Sequence, residues 1–100
     1  MYSYFYRLFQ SLNLKRSFNE DLIKLIKRHN IQDIIDIGSA DSPLLNYINN
    51  DYFYHGYELD PYFTNKLKLK YKNNNKLSFY NKGVDDIDFE KFDPKKSIIV

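Results

Sequence analysis

The stretch IIDIGSADSPLLNYI, residues 34–48, decides how the chain is read. Ile34, Ile35 and Ile37 are apolar with little alternation, as in a short strand over 33–37 that is covered on both faces. Gly38 follows at once, one of three glycines among 100 residues. Two readings of it stand side by side: an ordinary strand-to-helix turn, or a bend that lets a ligand approach the backbone. Asp41 or Ser42 suits an N-cap and Pro43 the first helical position, so a helix is predicted through Leu44, Leu45, Tyr47 and Ile48.

Working outward toward the C-terminus, residues 52–59 read as a second strand with Phe53, Tyr54, Tyr57 and Leu59 as its body. Asp60-Pro61 is a cap followed by a helix-starting proline. That start makes PYFTNKLKLKY a predicted helix, although its KLKLK alternation alone would fit a strand. A turn at 73–75, a third strand over 77–81 broken by Gly83, an acidic loop over 85–93 anchored by Phe89 and Phe92, and a fourth strand from Ser97 complete this side.

Toward the N-terminus, Ser17 and Glu20 have capping-box spacing, so a helix is expected to begin near Phe18. Leu22, Ile23, Leu25 and Ile26 are its apolar stripe. Lys27, Arg28 and His29 suit its last turn, and Asn30 its C-terminal cap. Tyr2, Phe5, Leu8, Phe9 and Leu12 fall at helical spacing, which predicts a separate amphipathic helix within residues 1–16 ahead of a unit spanning 17–100. The order is helix, helix, β, α, β, α, β, loop, β. Such alternation predicts an α/β fold, a parallel sheet of about four strands with helices on both faces and right-handed crossovers.

Composition narrows the function. Hydrophobic residues make up 43% of the chain, enough for a packed core. There is no cysteine, which excludes disulfides and thiolate metal sites, and the two histidines have no metal-ligand spacing. No metal site is expected. A net charge of +2 is too small to indicate nucleic acid or an anionic membrane. Lysines at 66, 68, 70 and 72 are offset by Asp85, Asp86, Asp88, Glu90 and Asp93. The aromatic N-terminus carries Arg7 and Gln10 and lacks the long apolar core of a signal or membrane-spanning segment, which favours the cytoplasm.

In parallel α/β sheets ligands bind beyond the C-terminal ends of the strands. The first strand ends at Gly38 and the second at Glu58, twenty positions on. An acid at that interval can accept hydrogen bonds from the ribose hydroxyls of an adenosine-type cofactor, because a carboxylate is an acceptor only and takes both. A dinucleotide would want further glycines where Ala40 and Ser42 stand, and Asp41 would place a negative charge beside its phosphates. A cofactor without phosphate but with cationic groups, such as S-adenosylmethionine, suits Asp36 and Asp41 better.

IIDIGSADS, YHGYELDP and LSFYNKGVDD together resemble the first three motifs of class I S-adenosylmethionine-dependent methyltransferases. The Asn-Lys-Gly-Val string followed by an acid, with Glu-Leu-Asp-Pro after the second strand, is similar to the FkbM-type members. The resemblance covers residues 18–86 and the strand near 97–100. It implies an incomplete, Rossmann-like sheet, with Asp36, Gly38 and Ser39 lining the methionine end of the cofactor and Glu58 holding the ribose. It further implies that Leu59 flanks the adenine, with Val84 and Asp85 at the adenine edge. Ala40 stands where the family usually has Asn, and Ser42 where it has a second glycine.

By that resemblance the expected activity is O-methyl transfer to a hydroxyl of a sugar or other small molecule. The methyltransferase sheet usually has seven strands, so the chain reads as the N-terminal part of a longer enzyme or as a small remnant. No catalytic base can be nominated. The apolar Ser97–Val100 segment, if bare at a sheet edge, predicts self-association. The rival from another class is a non-catalytic binding module that contacts a protein or nucleic-acid partner through the N-terminal helix and the lysines of the 61–71 helix.

Overall fold

The computed structural model describes residues 4–5, 15–48 and 51–100. Its centre is a parallel sheet. β1 (Tyr4–Phe5), β2 (Asp33–Ile37), β3 (Phe53–Tyr57), β4 (Leu77–Tyr80) and β5 (Ser97–Ile99) stand in the order β1-β5-β2-β3-β4. β2 is the middle strand. It is buried at Ile34, Ile35 and Asp36, which is why its sequence carries apolar residues on both faces. Its register sets Ile34 beside Tyr54 and Ile98, and Asp36 beside Gly56.

The strand order dictates which face each connection covers. The steps β1 to β2, β2 to β3 and β3 to β4 all run the same way across the sheet, so right-handed crossovers put their segments on one face. The step from β4 to β5 runs back across β3 and β2 and lies on the other. Accordingly α1 (Lys15–Arg28) and α2 (Pro61–Lys70) share one layer, where Leu22, Ile26 and Leu67 pack with Ile34, Tyr54, Phe79 and Ile98. Helices were expected on both faces. The second face is instead covered by two single-turn 3-10 helices, Val84–Asp86 and Phe89–Lys91, whose neighbours Ile87 and Phe92 bury against Ile35 and Tyr57. The acidic stretch over 85–93 has apolar residues only at Ile87, Phe89 and Phe92, too few to form a longer helix.

α1 ends as its sequence indicates. Asn30 takes a left-handed φ of 54°, the Ile31 N–H donates to the Ile26 carbonyl at 3.0 Å, and both isoleucines enter the core. Its start differs: the helix begins at Lys15, so Ser17 lies inside it rather than at its cap, and the boundary drawn at 16/17 falls within α1. Lys and Arg are good helix formers, which extends the turn backward. α2 begins as expected, with Asp60 accepting from the Tyr62 N–H at 2.9 Å and Pro61 in its first turn.

Two further expectations change. The amphipathic helix predicted within 1–16 is not found at Tyr4 and Phe5, which pair in parallel with Ile98 and Ile99; residues 1–3 and 6–14 of that segment lie outside the described residues. For the same reason Ser97–Ile99 is not a bare edge, since β5 sits between β1 and β2. The route to self-association through residues 97–100 is thereby removed. No helix among the described residues is long and apolar enough to cross a membrane.

Candidate functional site

All strands being parallel, the ends of β2 and β3 meet at one rim. The Gly38 and Ser39 N–H groups both donate to the Tyr57 carbonyl, at 2.8 and 3.2 Å, so the bend after β2 lies directly against the end of β3. No strand intervenes between them. The bend itself is unusual. Gly38, Ala40 and Ser42 have φ of 69°, 48° and 54°, alternating with Ser39 and Asp41. Only glycine takes this region freely, and L-residues do so at a cost of about 1–2 kcal/mol each. The left-handed Ser42 precedes a 3-10 helix of one turn, Pro43–Asn46, in place of the α-helix expected through Ile48. Ser42 does not cap it with its side chain, and only Leu44 of that turn is buried, so little holds a longer helix together.

Glu58 ties the rim together. Its Oε1 accepts from the Ala40 N–H at 2.9 Å, and its Oε2 accepts from the Asp60 N–H at 2.9 Å. One carboxylate therefore fixes the strained loop and the entrance to α2. About four acceptor positions exist on a carboxylate, so two remain for a donor from outside. Behind Glu58, Asn81 at the end of β4 donates from Nδ2 to the Glu58 and Leu59 carbonyls, at 2.9 and 2.7 Å. Leu59 and Val84 are 70% and 50% exposed on this rim, with Leu59 lying against Gly83, where an added Cβ would meet Leu59 Cδ2 at 3.2 Å. A Cβ built on Gly38 would meet nothing within 4 Å, so the space over the bend is open.

Beneath the loop lies a buried polar group. Asp36 is 5% exposed, and Tyr54 Oη donates to its Oδ2 at 2.6 Å. Ser42 Oγ is 2.8 Å from the same phenol oxygen. A phenol has one proton, and an ionised carboxylate can only accept, so the Ser42 hydroxyl donates to Tyr54 and Tyr54 to Asp36. Gly56 makes this reach possible. Tyr54 and Asp36 are diagonal neighbours on one face, Gly56 is the residue directly beside Asp36, and the Tyr54 ring passes so close that a Cβ on Gly56 would meet Cε2 at 3.0 Å. Burial pushes the Asp36 carboxyl up to about 6, against the Tyr54 hydrogen bond and with help from the Glu58 charge. Burial and the Asp36 charge raise the Tyr54 phenol well above its ordinary value.

Of the residues predicted from sequence, Gly38, Ala40, Asp41, Glu58, Leu59, Val84 and Asp85 lie on or around the one rim. Asp41 and Asp85 are exposed. Asp36 and Ser39 are buried beneath the loop, so neither presents its side chain to a ligand above it. Tyr54, Ser42 and Asn81 were missed as structural members of the site. The signal for Tyr54 was the glycine two positions later, which leaves a gap for its ring. The shallow depression of about 330 Å³ lined by Ile26, Lys27, Asn30, Ile31, Gln32 and Tyr52 lies elsewhere, at the opposite rim where β2 and β3 begin. No group of three His, Cys, Asp or Glu side chains among the described residues converges as a metal site would require.

Comparison with protein-family models, with curated proteins and with solved structures finds no match to the chain.

Proposed function

We propose that the rim binds S-adenosylmethionine and that the chain is a methyltransferase, or the cofactor-binding part of one. The observation that carries the reading is the pairing of the open, left-handed bend at 38–42 with Glu58 on the adjacent strand end, joined through the Ala40 N–H. The residues fit the cofactor chemically. Glu58 keeps acceptor positions for a ribose diol. Leu59 and Val84 offer exposed apolar surface to an adenine, and Asp36 and Asp41 supply negative charge near a sulfonium. When bound, the cofactor supplies an electrophilic methyl group; the chain's own residues position it. A hydroxyl of a sugar or small molecule as acceptor comes with this reading by resemblance alone; a cytoplasmic location is proposed from the N-terminal sequence, which carries Arg7 and Gln10 and lacks a long apolar core.

The second reading, a non-catalytic module contacting a protein or nucleic acid, draws support from α2. Tyr62, Lys66 and Leu69 follow one another at helical spacing, Tyr62 and Leu69 are 64% and 74% exposed, and Lys66 Nζ sits 5.8 Å from the Tyr62 ring.

Calorimetric titration separates the two. S-adenosylhomocysteine is expected to bind, NAD is not, and Glu58→Ala is expected to weaken binding by about tenfold or more through lost charged hydrogen bonds. Absence of heat from S-adenosylhomocysteine overturns the methyltransferase reading. Salt-sensitive binding to an oligonucleotide would then favour the module.

A further inference from the structure

α2 uses only part of its sequence for the fold. In its KLKLK run, Leu67 and Leu69 would share one face of a strand, but in a helix they point about 200° apart. Leu67 enters the core, 4% exposed, while Leu69 stands outside it, 74% exposed. One exposed leucine is ordinary. Here a second large side chain, Tyr62, 64% exposed, lies on the same line seven positions earlier, about 10 Å away along the axis, with Lys66 between the two. Lys68 and Lys70 flank the line, and all three lysines are exposed.

By count the lysines of α2 are offset by the acids of 85–93; in the fold they are not. α2 lies on one face of the sheet, and the 3-10 helices Val84–Asp86 and Phe89–Lys91 cover the other. Two packing distances of about 10 Å each separate these layers. That exceeds the screening length of about 8 Å at physiological salt. Among the described residues no carboxylate pairs with Lys66, Lys68, Lys70 or Lys72; Lys66 and Lys70 lie instead against the rings of Tyr62 and Tyr71. The outer face of α2 is therefore basic, unneutralised, and set with two apolar anchors.

We propose that this face docks an acidic amphipathic helix of a partner protein, whose apolar residues meet Tyr62 and Leu69 and whose carboxylates meet Lys66, Lys68 and Lys70. The inference gives the second reading above a partner chemistry and uses no residue of the cofactor rim, so it stands or falls apart from cofactor binding. Apolar anchors two turns apart with cations among them complement a helix with leucines at i and i+7 and acids beside them. A second copy of the chain suits the face less. Two α2 helices laid together set lysines against lysines, and the 85–93 segment has already buried Ile87 and Phe92 in its own core. A nucleic acid would meet the lysines, but base stacking needs aromatic faces and Leu69 has none. A lipid surface takes a helix by a broad apolar face, and α2 turns its own, with Thr64 and Leu67, into the core.

The test is titration of the intact chain, followed by fluorescence anisotropy, with a labelled helical peptide carrying leucines at i, i+3 and i+7 and glutamates beside them. A peptide of the same composition in scrambled order, a labelled single-stranded oligonucleotide and phosphatidylserine vesicles are compared with it. The ordered peptide is expected to bind about tenfold more tightly than the scrambled one, and to shift the amide resonances of α2. Tyr62→Ala and Leu69→Ser are each expected to weaken it by about fivefold, as loss of an apolar anchor does, and Lys66→Glu by about tenfold. All three side chains are exposed, so the variants are expected to fold, which circular dichroism checks. S-adenosylhomocysteine titrated in parallel reports on the cofactor reading separately. Silence from both peptides, equal affinity for the two, tighter binding of the oligonucleotide or the vesicles, or full affinity in both Tyr62→Ala and Leu69→Ser overturns the inference.

Discussion

Glu58 accepts the backbone N–H of Ala40 across 2.9 Å, and through this bond the end of one strand sets the backbone of the loop that follows its neighbour. The loop is held in a conformation its own residues disfavour, and the acid that holds it also holds the entrance to α2. Glu58→Gln keeps one carbonyl acceptor but replaces the other with a donor, so either the Ala40 or the Asp60 N–H loses its partner. A loss of about 1 kcal/mol in unfolding free energy is expected from urea denaturation, with faster amide exchange at one of these two residues. Unchanged exchange at both would show that the carboxylate does not restrain the loop.

Strain in the loop should be removable at one position and not at another. Ala40→Gly relieves a left-handed φ without breaking a side-chain contact, and is expected to stabilise by about 1 kcal/mol. Ser42→Gly relieves a similar strain but removes the hydroxyl beside Tyr54, so the two effects are expected to cancel to within about 0.5 kcal/mol. Ser42→Ala keeps the strain and loses the hydroxyl, and should destabilise by about 1 kcal/mol. The order of denaturation midpoints across the three variants checks the account.

Stability should carry the imprint of Asp36 titration. Its folded-state pKa, about 6, lies above the unfolded value of 3.8, so the folded chain holds this proton more tightly. The contribution is fully present below pH 4 and is lost as pH rises through 6, and the difference amounts to about 3 kcal/mol. Asp36→Asn mimics the neutral acid and lacks this slope. The unfolding free energy of the variant minus that of the natural chain is therefore expected to rise by about 2.4 kcal/mol between pH 4 and pH 7. A flat difference would mean that the carboxyl titrates as an exposed one does.

Gly56→Ala places a methyl group against the path of the Tyr54 ring, with Phe79 Cδ1 and Ser39 Oγ also within 3.3 Å. The ring and the backbone of β3 must shift, at a cost of about 1–3 kcal/mol. Thermal melts report the loss. Near-ultraviolet circular dichroism should change as well, because Tyr54 is displaced from Asp36.

The sequence made the sheet legible because the strands differ sharply from their surroundings. Asp33–Ile37 was bounded correctly by an isoleucine run ending in glycine, and Pro61–Lys70 by its Asp-Pro start. The placing of Gly38 and Glu58 on one rim followed from parallel pairing alone. What stayed hidden depends on side chains meeting across strands. Tyr54 looks like any core aromatic until the register sets it diagonal to Asp36. Ala40 and Ser42 do not announce a positive φ, since neither residue type favours the left-handed region. Phe5 fits a helical face with Tyr2, Leu8, Phe9 and Leu12, and only the pairing of Tyr4 and Phe5 with Ile98 and Ile99 decides for strand.

Asp33 of β2 pairs with Ser97 of β5, more than sixty positions later in the chain. During synthesis, at about 5–20 residues per second, β2 must therefore wait several seconds for one of its two neighbours. In that interval a nascent β2-β3-β4 sheet exposes an isoleucine-rich flank on the ribosome, a surface that chaperones recognise and that a neighbouring nascent chain could capture.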